Sequence, residues 1–356
     1  MKIHSLRLIQ FRNYEDRKFI FEEPITVFYG SNGKGKTNIL EGLYVGTVGR
    51  SHRASDDRDM IRFHAEEASI HIAFERQEVP QELKIKIPKQ GKKSISLNEN
   101  KISQKELVGT LNTVFFGPED MNLIKGSPKG RRHFLDMELS QTNPFYYQQL
   151  MQYTRAIQQR NRILKEYAGR PLPSLEEWDI QIAKTASFIT KFRLKSLEKM
   201  NLLASLMHRR LTDGNENLKL QYEQPYELTS LITEEKDFYQ LLQEHLEQDR
   251  RRMTTSVGPH RDDIIFISDQ GDLKRFGSQG QQRTAILAVK LSELEFIKSE
   301  VGEYPILLLD DVFSELDELR RKQLLYFIHR RIQTFLTTTD KEEVQELSHV
   351  SCISIS

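Results

Sequence analysis

The chain has 356 residues, 38% hydrophobic and 29% charged, with a formal net charge of +1, one Trp and one Cys. That make-up suits a globular protein with room for two cores and excludes a collagen-like, disordered or disulfide-stapled chain. No apolar run approaches the ~20 residues of a membrane-spanning helix. Met1–His4 opens no apolar signal segment, and Cys352 has no second cysteine to pair with, so the expected compartment is the cytoplasm.

Ile3 to Phe11 mostly alternates apolar with polar, and Phe19-Ile20-Phe21 follows a charged turn, which predicts a β-hairpin. A short strand, Ile25 to Tyr29, leads into Gly30-Ser31-Asn32-Gly33-Lys34-Gly35-Lys36-Thr37, and Ile39, Leu40, Leu43 and Tyr44 then recur at helical spacing. The eight residues from Gly30 match the phosphate-loop pattern G-x-x-x-x-G-K-S/T without a mismatch, in the strand, loop, helix setting it requires. Glycines let successive N–H groups turn toward a polyphosphate, and the helix that follows aims its positive end at the anion. Lys36 is placed to reach the β- and γ-phosphates and the Thr37 hydroxyl to bind Mg²⁺; Asn38 completes the expected cofactor-binding stretch.

After a polar loop around Ser55–Asp59, the alternating runs at Ile70–Phe74, Leu83–Ile87 and Ile95–Leu97 predict an antiparallel meander, closed by a buried strand at Thr113–Phe116 and the turn Gly117-Pro118-Glu119-Asp120. From about Ser127 to Arg252 the apolar spacing is helical, with one long helix expected from Ser174 to about Arg210 and another from Glu234 to Arg252. The β pattern returns at Ile264–Ile267, so a first domain is expected to be interrupted by a helical arm and completed afterwards. The expected divisions are residues 1–122, 123–253 and 254–356.

The run Ile306-Leu307-Leu308-Leu309 reads as a strand buried on both faces, ending in Asp310-Asp311. Adjacent carboxylates at a strand end are costly without a cation; Asp310 is expected in the Mg²⁺ shell and Asp311 as the general base for water, with Lys36 as the second catalytic group. Ser278-Gln279-Gly280-Gln281-Gln282-Arg283 opens a further helix, where a hydroxyl and free N–H groups form either an anion site or a simple cap. His260, beside Arg261 and two Asp, reads as part of a positioning loop beside the nucleotide site sooner than as a metal ligand. Lys125, Lys129, Arg131 and Arg132 form a basic cluster suited to DNA phosphates, and Arg250-Arg251-Arg252 a second, weaker one; charge runs are more often solvated faces.

A phosphate loop, a long insertion, Ser-x-Gly-Gln-Gln, two acids after a strand and then Ser314-Glu315-Leu316-Asp317 together resemble the ABC-type ATPases. Within that superfamily the chain resembles the RecF family of bacterial DNA replication and repair ATPases, which is similar to the SMC-type heads. The resemblance runs through Leu6–Tyr14, Gly30–Asn38, Gly117–Asp120, Lys125–Pro128, Arg131–Asp136, Gly258–Asp263 and Leu308–Asp317. It implies an α/β fold, an ABC-type head with a mixed sheet, a β meander and an inserted helical arm. It further implies an ATP-dependent homodimer in which Ser278, Gln279, Gly280, Gln281 and Asp317 of one chain complete the other chain's site. ATP and Mg²⁺ are the implied cofactors; duplex, gapped or junction DNA, RecR and RecO are the implied partners, with a link to RecA loading, replication and the SOS response.

Two features depart from the general ABC pattern. Asp311 stands where transporters usually carry Glu, so its reach toward water is shorter and slow hydrolysis is expected; Thr337-Thr338-Thr339-Asp340 stands where the switch His would fall. No glutamine is assigned to the Q-loop. Two rivals remain open at this point: a transport or translation ATPase subunit, and a phosphate-binding module without turnover.

Overall fold

The computed structural model describes residues 1–226, 230–329, 331–340 and 349–356. The chain divides into two compact units, one made of residues 1–121 and 286–356 and the other of residues 122–285.

The first unit contains two sheets. Strands β1 (Lys2–Phe11), β2 (Tyr14–Ile20), β4 (Glu67–Arg76), β5 (Val79–Pro88), β6 (Ser94–Leu97) and β7 (Asn100–Ile102) form a six-stranded antiparallel sheet in the order β2-β1-β4-β5-β6-β7. The second sheet joins β3 (Ile25–Tyr29), β8 (Thr113–Phe116), β12 (Ile306–Asp310), β13 (Thr334–Thr338) and β14 (Val350–Ser354) in the order β14-β3-β13-β12-β8, all parallel. The expected combination of a sheet with an antiparallel meander is present as one parallel and one antiparallel sheet, and Thr113–Phe116 belongs to the parallel one beside β12 instead of closing the meander.

Alternation explains the antiparallel sheet: Leu6, Leu8, Ile70, Ile72, Leu83 and Ile85 turn one face into the core, where they meet Ile39, Leu40 and Leu43 of the helix Lys36–Val48. Each such side chain contributes about 1.5–3 kcal/mol on burial. Two glycines let that helix lie close to the sheet, since a Cβ at Gly42 would stand 2.7 Å from Leu8 and one at Gly46 2.2 Å from Ile72. The parallel strands need no alternation; β12 is buried at every position, as its unbroken Ile-Leu-Leu-Leu run requires.

The second unit carries the helices Pro128–Thr142, Pro144–Glu166, Glu176–Leu211, Glu235–Glu244 and Leu246–Arg252. The expected long helix is present, with the Ser174 hydroxyl accepting from the Glu176 amide at 3.3 Å just before it starts. The helix expected from Glu234 to Arg252 is two, broken at His245, whose amide bonds back to Leu241 and Gln243.

The expected return of the ATPase sheet at Ile264–Ile267 is corrected. β10 (Asp263–Ser268) pairs with β9 (Leu218–Glu223) and β11 (Gly271–Asp272) in a separate three-stranded antiparallel sheet of the second unit, which runs on to Ala285. An alternating apolar run predicts a strand, but its neighbour is chosen by a tertiary pairing that periodicity does not encode. A buried polar network also holds this unit: the Arg160 guanidinium, fully buried, binds Asp179 at 2.7 Å and Asp249 at 2.6 Å. Arg193 binds Asp136 at 2.7 Å and the Pro259 carbonyl at 2.7 Å.

Candidate nucleotide site

The phosphate loop leaves β3 at Gly30, whose φ of 145° and lack of side chain let the Ile355 carbonyl pass where a Cβ would stand, 2.3 Å away. At its far end Gly35 (φ 103°) faces the Asn13 amide, which would lie 2.4 Å from an added Cβ. Asn13 braces the loop from the β1–β2 turn: its Nδ2 donates to the Lys34 carbonyl at 2.9 Å and its Oδ1 accepts from Asn38 Nδ2 at 2.9 Å. Tyr14 OH donates to the Gly35 carbonyl at 3.2 Å. Ser31, Asn32, Gly33 and Lys34 are exposed between these braces. A loop held at both ends, with its middle open and its glycines in conformations denied to other residues, is a fitting cradle for a polyphosphate.

Lys36 folds over this loop, donating to the carbonyls of Gly30 at 2.5 Å and Ser31 at 3.0 Å. Burial holds its pKa below the usual lysine value, while Asp311 and Asp310 act in the opposite sense, which puts both carboxylates within electrostatic reach of the ammonium.

The strand order explains how the acids arrive. β13 lies between β3 and β12, with Thr337 in register with Phe28 on one side and Asp310 on the other. Asp310 Oδ1 accepts from Thr37 Oγ1 at 2.9 Å and from Thr337 Oγ1 at 2.8 Å. The same Thr337 hydroxyl accepts from the Asp311 amide at 2.9 Å. Asp311 then turns out of the strand in a left-handed conformation (φ 50°, ψ 30°), its carbonyl accepting from Ser314 Oγ at 2.7 Å. Asp tolerates that region better than most residues, and the bonds on either side hold it there.

The structure therefore brings Thr37 and Asp310 together, and their chemistry fits Mg²⁺. A hydroxyl and one carboxylate suffice when substrate phosphates and water supply the remaining oxygens, and among the described residues no cluster of three His, Cys, Asp or Glu offers an all-protein cage.

Sequence reasoning missed several residues that shape the site. Thr337 ties both acids in place. Glu41 is fully buried on the phosphate-loop helix, bound by Arg12 at 2.8 and 2.6 Å and by Ser51 Oγ at 2.5 Å. Burial works to raise its pKa, yet these bonds leave it below the usual carboxylate range. Leu6–Tyr14 carries the resemblance, and a loop-bracing role for Asn13 and Tyr14 was legible there only as identity, since nothing in spacing links them to Gly35.

The other sequence-predicted residues lie as follows. Ser278 and Gln281 form a reciprocal cap: the Gln281 amide donates to Ser278 Oγ at 3.2 Å and the Ser278 amide to Gln281 Oε1 at 3.0 Å, opening the helix Gln279–Val301. Gln281 Nε2 also donates to Glu216 at 3.1 Å. Ser278 and Gln279 are exposed and Gly280 half-buried. Asp317, exposed, caps the helix Glu318–Ile328 through the Arg320 amide at 2.9 Å.

Lys125 and Lys129 are exposed. The DNA role expected of Arg131 is corrected, since its guanidinium is buried in a two-bond pair with Asp263 at 2.7 and 2.8 Å; Arg132, half-buried, donates to the Asp262 carbonyl at 2.7 Å. Their guanidiniums hold the second unit together. His260, expected beside the nucleotide, is likewise built into that unit, bonded to Tyr153 OH at 2.5 Å and to the Thr255 carbonyl at 3.1 Å.

A family model described as RecF/RecN/SMC N terminal domain matches residues 2–355. The DNA replication and repair protein RecF of Halalkalibacterium halodurans is 41% identical over 352 residues, covering 97% of this chain and 94% of the relative. Its counterpart in Clostridium novyi is 40% identical over 359 residues, covering 100% and 98%. Among solved structures, the recombination mediator protein RecF with ATP, in the RecFOR pathway, superposes with a TM-score of 0.92 at 32% identity, covering 99% of this chain and 95% of the other. An Smc head bound to the C-winged helix domain of ScpA superposes at 0.56 with 18% identity over 96% and 90% of the chains, a likeness of fold alone. No described helix is long and apolar enough to cross a membrane. The chain belongs to the RecF/RecN/SMC family of ABC-type ATPases, and its full-length likeness puts it among the RecF proteins.

Proposed function

We propose that this protein is a cytoplasmic, DNA-binding ATPase of recombinational repair and replication that binds ATP with Mg²⁺ at Gly30–Asn38 and dimerises when it does so. The observation that carries the reading is the hydroxyl and carboxylate chain Thr37, Asp310, Thr337, Asp311 at the mouth of a braced phosphate loop. Lys36 exchanges its two carbonyl partners for the β- and γ-phosphates. Thr37 and Asp310 would hold Mg²⁺, which when bound would neutralise phosphate charge. Asp311 takes the proton from the attacking water, and its short side chain, fixed in a left-handed turn, has little freedom to improve its approach; slow turnover follows.

A partner's Ser278, Gln279, Gly280 and Gln281, with its Asp317, complete the site in this reading, the exposed helix start offering N–H groups to the γ-phosphate. The relatives named for DNA replication and repair and for the RecFOR pathway support DNA, RecR and RecO as partners; duplex, gapped or junction DNA as the form bound, RecA loading and SOS induction complete the reading. Asp311→Asn is the direct test of the chemistry. ATP affinity should persist while hydrolysis is lost, because the amide keeps the shape and gives up the basic lone pair; unchanged turnover would place the base elsewhere.

A further inference from the structure

The outer face of the antiparallel sheet carries a feature that the nucleotide site does not use. Reading straight across the strands, Lys18 lies opposite Arg7, Arg7 opposite His71, His71 opposite Lys84, Lys84 opposite Ser96, and Ser96 opposite Lys101. Five of the six positions in this transverse row are basic. At strand spacings of ~4.8 Å, the five steps span about 24 Å.

Lys18 and Arg7 stand directly opposite, a like-charge pair of the kind that destabilises a sheet. Arg7 is offset by Asp16, bonded at 2.8 and 2.6 Å, and neighbouring Lys86 by Glu67 at 3.8 Å. Among the described residues Lys18, Lys84 and Lys101 have no carboxylate bound. The row crosses a depression of about 330 Å³ whose lining includes Arg7, Lys18, His71 and Lys84 and also the carboxylates of Glu82 and Glu99, four basic side chains to two acidic ones. The imidazole of His71 reports the local field: burial lowers its pKa first, then Lys84, Arg7 and Lys86 lower it further against the opposing pull of Asp16.

We infer that this row is a docking surface for the sugar-phosphate backbone of duplex DNA, laid across the strands of the antiparallel sheet. A polyanion complements a face on which, among the described residues, Lys18, Lys84 and Lys101 stand without a bound carboxylate, with His71 and Ser96 as neutral hydrogen-bonding groups between them, and about 24 Å of duplex corresponds to about seven base pairs at 3.4 Å per step. Contacts of this kind read backbone and not sequence, as a protein acting at varied lesions requires. The inference rests on the DNA-binding reading above and gives that reading a surface in place of Arg131.

The test is fluorescence anisotropy of a labelled duplex with the ATP-loaded protein across a salt series. Each phosphate contact adds ~0.9 to the slope of log affinity against log salt, so Lys18→Gln/Lys84→Gln/Lys101→Gln should lower the slope by about 2.7. ATP binding should be retained in this variant, which checks its fold. Lys184→Gln/Lys195→Gln, on the exposed side of the long helix, should leave the slope unchanged. Wild-type affinity and slope in the triple variant would overturn the inference while leaving DNA binding intact. Loss of poly-glutamate binding with duplex binding preserved would overturn it in favour of an acidic protein. A wild-type protein that binds no duplex at low salt would overturn the DNA-binding reading itself.

Discussion

Removing one hydroxyl, that of Thr337, should disable the site without touching any group that contacts nucleotide in the proposed mechanism. Thr337 is 1% exposed, and its Oγ1 donates to Asp310 at 2.8 Å while accepting from the Asp311 amide at 2.9 Å. Thr337→Val keeps the β-branched shape but breaks both bonds. The Asp311 N–H is left without its acceptor, at about 1–3 kcal/mol, and Asp310 loses one charge-assisted bond, worth about 1.5–3 kcal/mol, of which Thr37 and water recover part. A net loss of about 2–4 kcal/mol in the first unit is expected, read as a fall in its calorimetric transition. Released from its tether, Asp311 should leave the left-handed turn, so hydrolysis should fall by at least tenfold while ATP affinity stays within a few-fold of wild type. Thr337→Ser, which restores the hydroxyl, should recover both properties. A Thr337→Val protein with normal stability and normal turnover would refute the claim that β13 positions the two acids.

Lys36→Met should lose ATP binding with the fold intact, since a charge-assisted contact of this kind is worth about 1.5–3 kcal/mol; normal affinity by titration calorimetry would remove the phosphate-loop assignment. In the second unit two neighbouring groups titrate in opposite senses. Burial, aided by Arg261, holds His260 down to about 4 from 6.5, so its contribution is lost as pH falls through that range. Burial holds Asp262 up at about 6 from 3.8, so its contribution is present in acid and lost as pH rises through 6. Asp262→Asn should therefore make the unit lose about 3 kcal/mol more than wild type between pH 6.5 and 4, and His260→Gln about as much less. Trp178, the single tryptophan, reports this by fluorescence in urea; variants that both track wild type would contradict the opposed titrations.

Much of the site was legible because its chemistry is local. Gly30 to Thr37 must be contiguous for backbone N–H groups to converge, and Asp310-Asp311 must follow a buried strand. What escaped is non-local. Thr337 acts through a parallel register with Asp310, and Asn13 through a turn that meets Gly35 only in the folded chain. Ile264–Ile267 was correctly a strand but joined β9, because alternation fixes which face is buried and not which edge is paired. Arg131 read as part of a basic cluster suited to DNA phosphates, yet Asp263, more than a hundred residues on, takes its guanidinium in two bonds. The row Lys18, Arg7, His71, Lys84, Lys101 is scattered through the sequence and becomes a row only through strand register.

The central claim is that each ATP site is shared between two copies of this chain, and mixing two inactive variants tests it most directly. Lys36→Met spoils the phosphate loop and Ser278→Arg spoils the helix start proposed to meet a partner's nucleotide, so each alone should hydrolyse nothing. In a mixed dimer, one site carries both lesions and the other carries neither. ATPase activity should therefore reappear on mixing and reach its maximum near equal proportions. Full activity of Ser278→Arg alone would reduce Ser278 to the helix cap it forms with Gln281, and a mixture as inactive as its components would contradict the shared site.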